Sequence, residues 1–288
     1  MGKYRLLRDR IVCNPYHQDD VLLVPNPAST QQLSLAHDTH YVQRVLLGQL
    51  TPAEIKRIGF PWSEEMVERS RRSCGATLAA ARTALSEGLA VNLAGGTHHA
   101  MRDAGEGFCV FNDAAVAILT LLDEKRIRRA LVVDCDVHQG NGTAQILNAF
   151  PNVYTFSMHG EKNFPLRKFP STLDVDLSDG TNDDQYLQIL EESLTKILEE
   201  NEFDLAIYLA GADPFEGDRL GRLKLTKLGL SRRDEYVLKS LRSCSIPTAI
   251  AMAGGYAHNL NDIVDIHAET IRIASAISKQ SNFTYESK

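Results

Sequence analysis

An aspartate and a histidine two residues apart follow a run of apolar residues, and this pair could bind a metal ion. Asp136 and His138 end the stretch that begins at Ala130. On a strand, side chains two apart point to the same side, so both could reach one ion. A carboxylate and an imidazole suit zinc or a similar divalent cation. Upstream, the adjacent His98 and His99 add groups that suit general acid and base catalysis.

Two further apolar runs end on polar residues in the same way. One closes on Asp213 after a glycine, and the other closes on Gly254, Gly255 and Tyr256. The glycines allow the backbone to approach a ligand closely or to adopt a positive φ. Taken alone, Asp213 is more often a turn former or a helix cap than a ligand, and Tyr256 alone would be an ordinary aromatic. Adjacent buried histidines are harder to explain structurally, because each imidazole needs its own hydrogen-bond partners.

Short β-rich runs alternate with longer amphipathic segments along the chain. The predicted strands are residues 89–94, 130–134, 153–157, 205–209 and 248–252. The predicted helices are residues 64–86, 114–123, 184–200, 232–241 and 262–279. This alternation indicates an α/β fold with three layers, in which helices cover both faces of a mainly parallel central sheet. Ligands collect at the carboxyl ends of parallel strands, and the polar clusters follow the predicted strands at that end.

The composition fits a single globular domain over residues 1–288, with 43% hydrophobic and 24% charged residues. A formal net charge of -6 argues against binding to nucleic acid. Five cysteines form no Cys-x-x-Cys pair, which indicates a reducing compartment. No apolar segment approaches the roughly 20 residues that span a bilayer, and the first residues lack a secretory signal. We therefore expect a cytoplasmic enzyme with no membrane partner, and a frayed tail at residues 281–288.

The motifs, in their order and spacing, resemble the zinc-dependent histone deacetylase superfamily over nearly the whole chain. The matching segments are residues 95–100, 107–113, 134–143, 211–213 and 254–256. The segment 138–141 and the compact stretch 163–187 are most similar to the class IV branch and its bacterial relatives. The resemblance implies an arginase/deacetylase-like fold and a hydrolase that removes an acetyl or other acyl group from a lysine side chain.

The same resemblance implies a metal centre. Asp136, His138 and Asp213 are similar to the family's ligands, a set of three that leaves room for water and substrate, as in other catalytic zinc sites. Zn²⁺ is the expected cofactor, with Fe²⁺ or Co²⁺ as alternatives. The ion would polarise the amide carbonyl and activate the attacking water.

Catalytic roles are also implied. His99 is similar to the general base that later protonates the leaving amine, and Asn141 stands where class I relatives place an aspartate partner for it. A neutral partner holds the tautomer but raises the imidazole pKa less than a carboxylate would. His98, held by Asp134, is similar to the companion histidine that supports charge. Tyr256 is similar to the hydroxyl donor that stabilises the oxyanion.

Two further groups of residues come from the resemblance. The residues similar to the substrate-channel lining are Gly107, Phe108, Gly254 and Gly255. Family members also bind K⁺ near the zinc strand, and the corresponding groups here are the side chains of Asp134 and Ser157 with the carbonyls of Asp136, His138 and Met158. Gln139 and Ala253 also depart from the usual pattern, and we interpret these two and Asn141 as tolerated variation.

Several other functions use similar machinery. The substrate could be an acyl-lysine protein or an acylated small molecule such as an acetylpolyamine, or the enzyme could remove long acyl chains from lysine. An inactive module that only binds acyl-lysine would not need every catalytic position filled. An arginase-like manganese hydrolase would need further carboxylates for a second metal.

Relatives of the family carry a further strand and loop before the segment that resembles residues 3–7 of this chain. If these are absent, the sheet lacks a member and some backbone groups need other partners. We therefore expect a homo-oligomer, a more open substrate mouth, or a local rearrangement that hides the gap.

Overall fold

The computed structural model describes residues 2–279, so the predicted tail at 281–288 lies outside the described residues. The strands are β1 (Leu89–Asn92), β2 (Ala130–Asp134), β3 (Val153–Gly160), β4 (Leu173–Leu177), β5 (Leu205–Leu209) and β6 (Thr248–Ala251). The helices are α1 (Gly2–Cys13), α2 (Thr30–Ala36), α3 (Thr39–Leu46), α4 (Pro52–Ile58), α5 (Glu64–Glu87), α6 (Asp113–Asp123), α7 (Asn141–Leu147), α8 (Asp183–Glu200), α9 (Lys227–Ser243) and α10 (Leu260–Lys279).

The six strands form one sheet with the order β1-β6-β5-β2-β3-β4, and every pair in it is parallel. β2 and β5 lie side by side in the middle and are buried along their whole lengths. The register places Asp134 opposite Ser157 on β3 and Leu209 on β5. The segments that follow these central strands therefore leave the sheet at the same edge.

Helices cover both faces of the sheet, which confirms the predicted three-layer α/β/α fold. One apolar cluster contains side chains from α2 to α7, and the other contains side chains from α1, α8, α9 and α10. Successive residues of β2 alternate between the clusters: Val132 packs in the first, whereas Leu131 and Val133 pack in the second. Within residues 2–279, no helix combines the length and the apolar character needed to cross a bilayer.

Several elements differ from the prediction. All five predicted strands are present, although β3 extends to Gly160. β4 was missed; its alternating sequence is typical of an edge strand that pairs on one side only. The helices α1 to α4 and α7 were also missed. The short helices rely on local caps: in α4, for example, Thr51 and Glu54 form a capping box that satisfies backbone N–H groups.

The buried His37, at the end of α2, connects neighbouring segments of the chain through both of its ring nitrogens. His37 is 1% exposed. Its Nδ1 lies 2.8 Å from the carbonyl oxygen of Met101, and its Nε2 accepts from the backbone N–H of Asn112 at 2.9 Å. Only the neutral ring with its proton on Nδ1 can make both bonds. Burial lowers the pKa of His37 to about 4, because the charged ring would lose its hydration.

We expect acid to destabilise the fold through His37. The unfolded chain takes up this proton near pH 6.5 and the folded chain only near 4, so the stabilisation is complete above pH 6.5 and is lost as the pH falls to 4. The full shift corresponds to about 3 kcal/mol of unfolding free energy. Urea unfolding of the wild type and His37→Gln between about pH 7.5 and 4.5 measures the effect, with the exposed His40→Gln as control. Parallel pH profiles for the wild type and His37→Gln would contradict it.

Candidate active site

Three potential metal ligands meet at the carboxyl ends of β2 and β5. Asp136, His138 and Asp213 are buried, and one ligand atom from each lies within 4.8 Å of the others. The Nδ1 of His138 is 2.9 Å from Oδ1 of Asp136 and 3.3 Å from Oδ2 of Asp213. Asp136 and His138 belong to the loop after β2 rather than to the strand itself. They converge because the N–H of His138 bonds to Asp136 Oδ1 at 3.0 Å and closes a tight turn.

This cluster fits a divalent cation. Asp213 Oδ2 is buried and, among the described residues, has no hydrogen-bond donor in suitable geometry, although His138 Nδ1 is within ion-pair distance. Burial and the neighbouring Asp136 carboxylate raise the pKa of Asp213 to about 6. Burial alone would lower the pKa of His138, but the two nearby carboxylates raise it to about 10. The two carboxylates and the imidazole thus compete for protons when no ion is bound. Their two oxygens and one nitrogen form a donor set that suits zinc. Within residues 2–279, this is the one group of three such ligands close enough together to share an ion.

The tandem histidines follow β1 on a turn that a buried carboxylate holds. Gly95 and Gly96 in this turn have φ values of +83° and +71°, which glycine adopts readily. Asp113, the first residue of α6, accepts from the N–H groups of Gly96 at 3.0 Å and Thr97 at 2.7 Å. Sequence reasoning assigned no role to Asp113. Its only signal was its place at the end of the 107–113 motif.

His98 is the charged member of the histidine pair. Its Nδ1 lies 2.7 Å from Asp134 Oδ2, and its Nε2 lies 3.7 Å from Asp136 Oδ1. All three side chains are buried. Burial alone would lower the pKa of His98, but the two carboxylates outweigh it and raise the pKa to about 9. These contacts favour the protonated form of the ring.

His99 is the neutral member. Its Nδ1 lies 2.8 Å from Asn141 Oδ1, and Asn141 Nδ2 is directed at Glu106 Oε2 at 3.4 Å. This orientation of the amide places the His99 proton on Nδ1 and leaves a lone pair on Nε2. Burial, followed by the charges of His98 and His138, holds the pKa of His99 well below its usual value. Glu106, which orients Asn141, was not found from the sequence.

The turn that carries Tyr256 is held by contacts from other parts of the chain. Its backbone N–H donates to Asp218 Oδ2 at 2.5 Å. From α1, the Nζ of Lys3 donates to the carbonyls of Ala253 at 3.1 Å and Gly255 at 3.4 Å, and lies 5.6 Å from the centroid of the Tyr256 ring. Burial lowers the pKa of Lys3 to about 8. Neither Lys3 nor Asp218 was predicted to contact this turn.

Comparisons with known proteins place this arrangement in a family. The family model of the histone deacetylase domain matches residues 2–271. The chain belongs to the histone deacetylase family. It is 43% identical over 274 residues to an uncharacterised protein of Picosynechococcus sp., covering 95% of this chain and 91% of that protein. It is 32% identical over 257 residues to histone deacetylase 2 of Arabidopsis thaliana, covering 85% of this chain and 66% of that protein.

Solved structures show the same deacetylase fold. The crystal structure of the HDA15 HD domain aligns with a TM-score of 0.80 at 23% identity, covering 97% of this chain and 86% of that chain. An HDAC homolog complexed with SAHA aligns with a TM-score of 0.79 at 23% identity, covering 95% of this chain and 77% of that chain. The family is one of deacetylating hydrolases, and the arginase/deacetylase-like fold expected from the sequence is present.

Two partly exposed aromatic rings of this deacetylase-family chain lie at the site, one beside Tyr256 and one beside His99. Phe108 is 42% exposed, and its ring centroid lies 5.7 Å from that of Tyr256. Phe164 is 38% exposed and meets the ring of His99 edge-on at 4.8 Å. A Cβ at Gly107 would lie 3.1 Å from Phe164 and would contact His99, so a side chain there would fill the space between them. Phe164 was missed as a site residue, although it lies in the stretch 163–187 that resembles the class IV branch.

The two glycines before Tyr256 lie deeper. A Cβ at Gly254 would collide with the carboxylates of Asp213 and Asp136, and the N–H of Gly254 donates to Asp136 Oδ2 at 2.8 Å. A Cβ at Gly255 would instead meet Ile263 on α10 at 3.0 Å. Gly254 therefore contacts the carboxylates of Asp136 and Asp213, and Gly255 contacts α10. That these two glycines line the substrate channel remains a prediction.

Gln139, which departs from the family pattern, anchors the loop that carries Phe164. Its Nε2 donates to the carbonyl of Phe169 at 2.7 Å and to Asp174 Oδ1 at 2.9 Å, while its Oε1 accepts from the N–H of Phe169 at 3.0 Å. A carboxamide can donate and accept in this way at one backbone position. The glutamine thus ties the residue after His138 to the loop that carries Phe164.

The side chains predicted to help bind potassium lie on adjacent strands. Asp134 and Ser157 are register partners on β2 and β3, and both are buried. The Oγ of Ser157 is 2.9 Å from Nδ1 of His159, and Met158 between them is buried. The potassium site remains a prediction.

Three other histidines lie outside the predicted site residues. Of these, His159 and His267 are buried and His258 is exposed.

Proposed function

We propose that this chain is a divalent-metal-dependent amidohydrolase that removes an acetyl group from a lysine side chain. The buried cluster of Asp136, His138 and Asp213, beside two histidines of opposite charge state, carries the proposal. Asp136, His138 and Asp213 would hold the ion and leave room beside it for water or substrate. The chemistry that such an ion supplies is polarisation of the amide carbonyl and activation of the attacking water.

His99 acts as the general base and then as the general acid. Its proton lies on Nδ1, toward Asn141, so Nε2 is free to accept a proton from the attacking water. The same nitrogen then donates that proton to the leaving amine. The pKa of His99, held low by burial and by the nearby imidazoles, keeps the ring neutral until the water gives up its proton.

His98 and Tyr256 stabilise charge around the reacting carbonyl. His98 keeps its proton through the cycle, because the Asp134 carboxylate lies 2.7 Å from Nδ1. Its positive charge offsets the negative charge that develops on the carbonyl oxygen. The Tyr256 hydroxyl donates a hydrogen bond to that oxygen, as oxyanion donors do in other hydrolases.

Phe108 and Phe164 form the walls of the substrate channel in this proposal. Both rings are partly exposed beside His99 and Tyr256, and flat apolar faces suit the methylene chain of lysine. A side chain at Gly107 would press against both His99 and Phe164, so glycine keeps this wall in place. An extended alkyl chain that ends in an amide fits these surroundings better than a bulky or branched substrate.

The finer assignments belong to the same proposal. We place the enzyme in the class IV branch with its bacterial relatives, with Zn²⁺ as its ion and K⁺ at the site beside β2. A cytoplasmic location is supported by five cysteines that are all free. Self-association and a more open substrate mouth also stay as predictions.

A panel of three substrates tests the proposal. We expect the purified protein to hydrolyse an acetyl-lysine peptide, to lose this activity with a chelator and to regain it with Zn²⁺. His99→Ala is the matched inactive control. Turnover of acetylpolyamines alone would favour the small-molecule deacylase, and turnover of a myristoyl-lysine peptide alone would favour the long-chain enzyme. Binding of the peptides without turnover would support the inactive module instead.

A further inference from the structure

A buried arginine reaches the metal-ligand loops from the opposite helical layer. Arg233 lies on α9, and its side chain is 0% exposed. Its Nη1 donates to the carbonyl of Gly211 at 2.7 Å and to the carbonyl of Cys135 at 3.2 Å. One guanidinium nitrogen therefore joins the segments that follow two neighbouring strands, β2 and β5.

Both carbonyls stand just before a ligand. Cys135 is the residue before Asp136, and Gly211 is two residues before Asp213. The two segments also touch directly: the N–H of Val137 donates to Asp213 Oδ1 at 2.9 Å, and a Cβ at Gly211 would lie 2.7 Å from the Cα of Asp136. A shift of either segment therefore changes the distance between the two carboxylates.

The guanidinium is itself held in place. Its Nε donates to Asp234 Oδ1 at 2.9 Å, and its Nη2 lies 2.8 Å from the same oxygen. The carboxylate of Asp234 also accepts from Tyr208 on β5 and from Thr270 on α10, both at 2.6 Å. The network thus connects α9, β5 and α10 with the two ligand segments.

Stability alone is a weak reason for burying the ion pair of Arg233 and Asp234. Removing two charges from water carries a penalty that their attraction often only balances, and well-packed apolar residues can stabilise a core equally well. What a guanidinium adds is direction, because its planar fork has donors at fixed angles. Here those donors fix two carbonyls relative to one carboxylate.

We propose that Arg233 is a positioning residue that sets the spacing of Asp136 and Asp213 and so determines the affinity and the coordination geometry of the metal site. The inference rests on the proposed function, in which these carboxylates bind a divalent ion. Arg233 contacts neither ligand side chain and acts only through the backbone. Groups that orient metal ligands in this indirect way typically change metal affinity when they are replaced.

The test uses Co²⁺, whose affinity and visible spectrum both report on the site without any assay of turnover. In Arg233→Lys the charge remains but the fork is lost. We expect its Kd for Co²⁺ to rise roughly 10- to 100-fold, with an altered ligand-field spectrum. Arg233→Met combined with Asp234→Asn removes both charges together and avoids a buried unpaired ion, so it keeps the test open if the lysine variant unfolds. The same loss of affinity is expected for it.

Thr270→Val is the matched control. It removes a hydrogen bond to Oδ2 of Asp234, the oxygen that Arg233 does not bind, so it should lower stability to urea and leave Co²⁺ binding unchanged. If both arginine variants bind Co²⁺ with the wild-type Kd and spectrum, Arg233 serves stability alone and the inference is overturned. If the wild type itself binds no Co²⁺ or Zn²⁺, the proposed function fails first and the inference fails with it.

Discussion

Asp213→Asn is expected to release the divalent ion and to lower kcat/KM roughly a thousandfold, because a Lewis-acid metal supplies several kcal/mol of transition-state stabilisation and about 1.4 kcal/mol is a factor of ten. Asp213 is 0% exposed, and one of its oxygens has no donor in suitable geometry within the described chain. Asparagine keeps the shape of the side chain but removes the negative charge that attracts the ion. Metal analysis after dialysis, together with steady-state hydrolysis of an acetyl-lysine peptide, measures both effects.

The control for this variant is Asp184→Asn. It removes the same charge from a carboxylate that is 91% exposed and should keep one metal equivalent and the wild-type rate. We expect excess Zn²⁺ to restore little activity to Asp213→Asn, since the ligand itself is lost. A variant that retained both the ion and full activity would show that Asp213 is not a ligand.

Tyr256→Phe is expected to lower kcat by roughly 100- to 1,000-fold with little change in KM, since an oxyanion donor acts mainly in the transition state. The substitution removes only the hydroxyl. The ring should keep its place, because Asp218 holds the backbone N–H of residue 256 and Phe108 packs beside the ring. Steady-state kinetics on the acetyl-lysine peptide, with metal content measured in parallel, separates lost catalysis from a lost ion.

Tyr236→Phe is the matched control, since its hydroxyl contacts Thr195 and the carbonyl of Glu191 at the protein surface. It should leave kcat unchanged. Hydrolysis by Tyr256→Phe at the wild-type rate would remove Tyr256 from the mechanism. A fall in kcat accompanied by loss of the ion would assign Tyr256 to the metal site instead.

The meeting of these residues at one sheet edge could be predicted because its signals are local, whereas Asp213 was named as a ligand only through the family resemblance. Asp136 and His138 are two residues apart after a central strand, and the glycines before Asp213 and Tyr256 mark the ends of other strands. Parallel strands place all such ends at one edge of the sheet. The predicted alternation of strands and helices was therefore enough to bring these residues together before any contact was known.

Local patterns were weaker elsewhere in the fold. β4 was missed because an edge strand of alternating aspartates and apolar residues lacks the continuous apolar run of the buried strands. The short helices were missed because their stability comes from caps and packing more than from a long amphipathic pattern. Helix α1 gave no such pattern either, yet it delivers Lys3 beneath the Tyr256 turn.

The sequence by itself determined the fold class and the identities of the residues that meet at the strand ends, because strand periodicity and glycine turns act over a few residues. Only the tertiary structure decided what holds those residues in place. Lys3 bonds to a carbonyl 250 residues away, and Arg233 bonds to one 98 residues away. The charge states of His98 and His99 were also decided there, because burial and the distances to Asp134 and Asn141 set their pKa values in opposite directions. Such contacts depend on how whole layers pack, and no local spacing encodes them.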